Sequence, residues 1–273
     1  MNYETIEHLK DRDFKQLTGV QRGTFEQMLD VIEKGLRDFG RPPKLSRADQ
    51  LLLTLMYWRE YRTEFHIAQS YGVSEATICR TIRKVEDVLI RSKKFRLPGK
   101  KALQASDTVF EVVLVDVSEQ PVERPKKAKN GRHYSGKKKR HTQKAQVMAD
   151  RKSTQIITTA FSYGSKHDFQ LFKDDACEFS EHLRILADAG YQGLMELHEN
   201  SQTPFKKSKY HTLTKREKRS NRSLARKRIV IEHIFRKLKV FRLLSERHRN
   251  RRKRFALRFN LIAAIYNLEL YSN

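Results

Sequence analysis

Cysteine is scarce: Cys79 and Cys177 are the two in 273 residues, far apart and without the paired spacing of a zinc site. That excludes a disulfide framework and a thiolate-held structural metal, and it points to a reducing compartment. Long apolar runs are missing as well. No stretch approaches the ~20 residues of a membrane span, and the start, MNYETIEHLKDRDF, has no apolar run behind a basic head. Neither a membrane segment nor a secretory leader is expected, and the chain reads as a soluble cytoplasmic protein. No sustained heptads name a dimer interface. Acid is the last deficit: 32 aspartates and glutamates stand against 57 lysines and arginines, a formal charge of +25.

An excess of this size attracts a polyanion, and nucleic acid is the usual one. The charge is also concentrated. Lys126 to Lys144 contains no acid, and Lys206 to Arg228 contains Glu217 alone. These runs are internal and interleaved with patterned segments, so they read as phosphate-facing surfaces.

The first hundred residues read as helical. Thr24 with Gln27 makes a capping box ahead of Phe25, Met28, Leu29, Ile32 and Leu36, with Gly40 and the Pro42-Pro43 pair as stops. A second helix begins at Ser46, with Asp49 in its first turn, and runs toward Tyr61. The next stretch, TEFHIAQSYGVSEATICRTIRKVEDVLI, resembles a helix-turn-helix DNA-binding unit. Ala68 suits a close helix crossing, Gly72 the turn, and Ser74 the cap of the second helix. That helix would present Ser74, Thr77, Arg80, Arg83 and Lys84 to DNA. Thr81 stands where such units carry an aliphatic residue, and Ile82 beside it can serve. A plain helical hairpin is the competing reading.

The basic stretch around Pro98 and Gly99 is a linker, placing a helical domain at 1–95, a linker at 96–108 and a second domain at 109–273. Beyond it the pattern changes to short β-branched runs. FEVVLVDV, from Phe110, reads as a buried strand ending at Asp116, where a carboxylate is a site candidate or a turn-former. KRHTQKAQVMAD and STQIITTAFSY read as further strands, and residues 168–179 as a helix. Ile185 to Ala187 make another short buried strand that runs into Asp188. Side chains at adjacent strand ends lie close together, and ligands bind in such crevices.

A third acid comes from RKRIVIEHIFRKLKVF. On a helix turning about 100° per residue, Arg228, Arg236 and Lys239 fall on the face of Glu232. Val230, Ile234, Leu238 and Phe241 line the opposite, apolar side. An ordinary surface ion pair between Arg228 and Glu232 would suit the same spacing. Three carboxylates together suit hard divalent cations, and a pair of such ions about 3.5–4 Å apart serves in-line displacement at phosphorus.

Taken together, the helix-turn-helix, VDVSEQPVERP, YSGKKKRHTQKAQV, SKHDFQLF, ADAGYQG and RIVIEHIFRKLK resemble a DDE transposase of a bacterial insertion sequence. Closest are the insertion-sequence-five group and the Harbinger-like DDE endonucleases. The resemblance covers nearly the whole chain. It implies a ribonuclease-H-like catalytic domain, a mixed sheet flanked by helices, behind the helical domain. Asp116, Asp188 and Glu232 match the three catalytic, metal-holding acids, with Mg²⁺ or Mn²⁺, two ions per site, as cofactor. Arg228 and Lys239 match the arginine and lysine of the third motif. Ala225 departs from it, occupying a position where the family often carries tyrosine.

The implied reaction is nicking at terminal inverted repeats to give a 3′-hydroxyl, then transfer of that end into target DNA. Lys137, Lys138, Lys139, Arg140, Lys144, Lys206, Lys207, Arg228, Arg236 and Lys239 would handle DNA phosphates. His141, and His167 with Asp168, stand near strand ends and are weighed as structural residues or site residues. Partners would be double-stranded DNA, as element ends and target, and further copies of the chain in a dimer or larger assembly. Two other readings stay open: an inactive transposase-derived DNA-binding protein, and a nuclease of the same fold without strand transfer.

Overall fold

The computed structural model describes residues 2–37, 42–105, 109–124, 129–208, 210–249 and 254–271. Gly40, residues 106–108 of the linker and Lys126 at the head of the first basic run lie outside them. The chain forms two compact units, Met1–Arg96 with Leu238–Asn273, and Leu97–Lys237. The C-terminal stretch therefore groups with the N-terminal helices, where a 109–273 domain would group it with the sheet.

The first unit is helical: α1 (Asp11–Thr18), α2 (Arg22–Gly35), α3 (Arg47–Glu60), α4 (Glu64–Tyr71), α5 (Glu75–Arg91) and the C-terminal helix Phe255–Leu270. Its centre is α3, buried at every position from Gln50 to Trp58 because neighbours cover it on all sides. Ser46 caps α3 by accepting from the Asp49 N–H. Thr24, by contrast, does not start a helix. α2 begins two residues earlier behind Gln21, which leaves Thr24 buried inside the helix, and α2 stops at Gly35.

α4 and α5 form the helix-turn-helix. Thr63 caps α4, Gly72 turns the chain at φ +62°, and Ser74 accepts from the Thr77 N–H to cap α5. Ile82 is fully buried and takes the aliphatic position, which leaves Thr81 half-buried at the edge.

In the second unit, α6 (Lys101–Gln104) precedes a mixed sheet of β1 (Val112–Pro121), β2 (Tyr134–Ser135), β3 (Arg140–Asp150), β4 (Ile156–Tyr163), β5 (Arg184–Ala187) and β6 (Ser201–Gln202). The flanking helices are α7 (Asp168–Asp174), α8 (Leu194–Leu197) and α9 (Lys215–Leu238). β1 lies between β3, antiparallel to it, and β5, parallel to it, while β4 and β6 lie beyond β3 and β5. This is the ribonuclease-H-like arrangement. One sheet face packs Val113, Val115, Met148 and Ile185 against Phe172 and Tyr191.

Local signals place α9. Thr214 and Glu217 form a capping box, Thr214 Oγ1 accepting from the Glu217 N–H at 3.2 Å and Glu217 accepting from the Thr214 N–H at 2.7 Å. That explains the one acid in the second basic run. α9 buries Leu224, Ile231, Ile234 and Phe235. It ends at Leu238, so Lys239 lies past the helix, in the first unit, and shares no helical face with Glu232.

Candidate active site

β1 does not stop at Asp116 but continues through polar residues to Pro121, because β3 pairs with it along that length as far as Pro121↔Thr142. What ends near Asp116 is the pairing with β5. The last partners are Val115 and Ala187, so Asp116 and Asp188 are the next residues on two neighbouring parallel strands. On β1, Asp116 faces away from the apolar core that holds Val115. Asp188 turns the chain into a short 3-10 turn by accepting from the Gly190 N–H at 2.7 Å.

Gly190 has a steric reason. A Cβ there would stand 2.9 Å from Asp188 Oδ1 and 3.3 Å from Asp168 Oδ2, so a side chain would push into two carboxylates. Asp168, the first residue of α7, is thus a third acid at this end of the sheet. Behind it lies Lys144, whose Nζ donates to Asp168 Oδ1 at 2.7 Å and to the Lys166 carbonyl at 2.6 Å. Lys144 is therefore not a DNA-facing lysine: it is 6% exposed on an inward position of β3, with its charge spent on a neighbour. On the same strand Gln146 accepts from the buried Tyr191 hydroxyl at 3.1 Å. The alternation of β3 carries the available signal, since Lys144 and Gln146 share a face with the core residue Met148.

From α9, Arg228 reaches Asp116, Nη2 to Oδ2 at 3.3 Å, and its Nε is buried with no hydrogen-bond partner. Glu232 lies one turn further along α9, as does Arg236 after it, and both are exposed. Among the described residues no group of three potential metal ligands is assembled; the β1–β5 register brings Asp116 and Asp188 to neighbouring positions.

The electrostatics match this crowding. Burial pushes the Asp116 carboxyl up to about 6, with Asp188 and Asp168 adding to it, while Arg228 and the Val117 N–H pull the other way. Burial likewise raises the Tyr191 phenol well above its ordinary value, and the same three aspartates reinforce it. This end of the sheet carries unneutralised acid, the condition that favours a bound cation. The donors fit a hard one, being carboxylate oxygens from Asp116 and Asp188 on adjacent strands.

The DNA-contact candidates divide. Thr77, Arg80 and Lys84 sit on one face of α5 and line a groove of about 550 Å³ with Arg37, Lys44 and Arg47. Ser74 is occupied as a cap, and Arg83 is exposed outside that groove lining. Lys137, Lys138 and Lys139 are exposed on the turn joining β2 to β3, with Arg140 beside them, and Lys206 and Lys207 are exposed after β6. His167 caps α7, its Nδ1 accepting from the Phe169 N–H at 3.4 Å, and His141 stacks edge-on against Tyr134. Neither histidine shows a contact with the aspartates. No described helix is long and apolar enough to cross a membrane.

Comparison with known proteins extends these observations. Residues 107–268 match the family described as the transposase DDE domain, and residues 43–95 match the helix-turn-helix of DDE superfamily endonucleases. The chain is 48% identical over 273 residues to a protein of Microchaete diplosiphon named as a transposase for insertion sequence element IS702, covering 99% of each. It is 24% identical over 241 residues to a Streptomyces albus G protein named as a transposase for insertion sequence element IS112, covering 87% of this chain and 83% of that one. No solved structure matches the chain.

Proposed function

Because the chain belongs to the DDE transposase family, we propose that it nicks DNA at the terminal inverted repeats of its element and joins the freed 3′-hydroxyls to target DNA. The observation that carries this reading is the β1–β5 register, which sets Asp116 beside Asp188, with Arg228 paired to Asp116. In this reading Asp116 and Asp188 hold Mg²⁺ or Mn²⁺, and Glu232 completes the set from α9. When bound, a pair of such ions supplies charge neutralisation at the attacking and leaving oxygens of the phosphodiester.

The chain's own residues do the rest. Arg228, with an unpartnered Nε beside the acids, binds a phosphate oxygen next to the reacting one. The tip at Lys137 to Arg140, with Lys206, Lys207, Arg236 and Lys239, holds the DNA backbone and sets no sequence preference. Thr77, Arg80 and Lys84 on α5 read the element ends, and holding two ends together calls for a dimer or a larger assembly on DNA.

A second reading has an observation of its own. Ala225 replaces a frequent family tyrosine, as in a DNA-binding relic without catalysis. The test uses the purified protein, a plasmid carrying the gene with its native flanks, and Mg²⁺, with strand breaks mapped beside Glu232→Ala and Asp188→Asn. Breaks at a pair of inverted repeats, leaving 3′-hydroxyls and vanishing in both variants, are expected, as are joined products. Binding at those ends without breaks in Mg²⁺ or Mn²⁺ would establish the relic. Cleavage without joining would mean a nuclease.

A further inference from the structure

Lys144 is placed as few lysines are. Its side chain is 7% exposed, and its ammonium meets Asp168 Oδ1 at 2.7 Å, the Lys166 carbonyl at 2.6 Å and Glu119 Oε1 at 3.8 Å. Glu119 is held in turn by the Thr142 hydroxyl, which donates to its Oε2 at 2.9 Å. Burying an ammonium is costly unless acceptors surround it, and here they do.

The far oxygen of Asp168 faces the gap left by Gly190, and Asp188 Oδ1 faces the same gap. Two overlapping donor sets therefore exist at this end of the sheet. One is Asp116 with Asp188, across adjacent strands; the other is Asp188 with Asp168, across a glycine. Hard cations take carboxylate oxygens with little demand on which acid supplies them, so charge and access decide between the sets. Asp116 is met by Arg228 at 3.3 Å, a longer and more exposed contact than the one Lys144 makes with Asp168.

We propose that Lys144 is a resident cation that takes Asp168 and Glu119 out of the metal-binding set, so that divalent ions settle on Asp116 and Asp188. Asp168 is then a positioning residue, filling the space beside Gly190 and bounding Asp188, and is not a ligand. This rests on the reading of Asp116 and Asp188 as the metal-holding acids. A buried ion pair need not add stability, and a role in specifying where charge goes is one reason for such a pair.

The experiment is Mn²⁺ titration of the full chain without DNA, followed by electron paramagnetic resonance of the free ion, with melting in chelator as the measure of folding. Wild type and Asp168→Asn should bind equal numbers of Mn²⁺ with similar affinity. Lys144→Met should gain a further Mn²⁺ per chain, and the double variant Lys144→Met/Asp168→Asn should lose that gain.

A loss of roughly 10-fold or more in Mn²⁺ affinity in Asp168→Asn would make Asp168 a ligand and overturn the proposal. Unchanged Mn²⁺ binding in a folded Lys144→Met would reduce the lysine to a strut between β3 and α7, and would overturn it equally. If Lys144→Met does not fold, Asp168→Asn alone decides by the same criterion. Asp116→Asn and Asp188→Asn test the premise separately: if neither weakens Mn²⁺ binding, the metal-site reading fails whatever the lysine does.

Discussion

Glu86 in the helical unit and Asp116 in the sheet unit are both carboxylates held among arginines, and they are treated in opposite ways. Glu86 is fully buried and saturated: Arg258 Nε donates to one oxygen at 2.6 Å, Arg254 Nε to the other at 2.6 Å, and Trp58 Nε1 adds a third bond at 3.1 Å. Asp116 has a single guanidinium at 3.3 Å and two further aspartates in its field. Charge that serves the fold is paired until nothing remains. Around Asp116 charge is left in surplus, which suits the cation site proposed there.

The comparison can be broken most directly by truncating each acid. Glu86→Ala leaves Arg254 and Arg258 without their shared partner and should destabilise the helical unit by about 3–5 kcal/mol. Asp188→Asn should leave metal-free stability unchanged or raised, since it relieves repulsion. Chemical denaturation of both variants checks this, and equal losses would dissolve the distinction.

A smaller effect sharpens it. Asp116 titrates near 6 in the folded chain against an ordinary 3.8. Over that interval the folded protein keeps a proton that the unfolded chain has released, so metal-free stability falls as pH rises from about 4 through about 6. At about 1.4 kcal/mol per unit the loss is on the order of 2–3 kcal/mol. Asp116→Asn should flatten that slope in melting curves taken across the range, whereas Glu86→Gln should leave it.

The smallest effect on stability belongs to the exposed tip. Replacing Lys137, Lys138, Lys139 and Arg140 by Gln should change the melting temperature little, because exposed charges contribute close to nothing. It should lower the slope of log affinity for DNA against log salt by about 3–4. An unchanged slope would remove the tip from the DNA path.

Local signals in the sequence reach far here. Gly72 and Ser74 mark the turn and cap of the helix-turn-helix, and the β-branched run before Asp116 marks a buried strand. Both depend on neighbours a few residues away. The second half of β1, Val117 to Pro121, carries no such signal and becomes a strand through its register with β3. Lys144 looks like one more member of a basic run, because nothing within several residues says that Asp168 and Glu119 will close around it.

By itself, the sequence determined the basic character of the chain and the helix-turn-helix, since composition and short-range periodicity are written in adjacent residues. The tertiary structure alone decided that Asp116 and Asp188 are neighbours, that Lys144 is spent inside and that the last helix returns to the first unit. Those are pairings between residues tens to hundreds of positions apart, chosen by burial and charge compensation when the chain closes on itself.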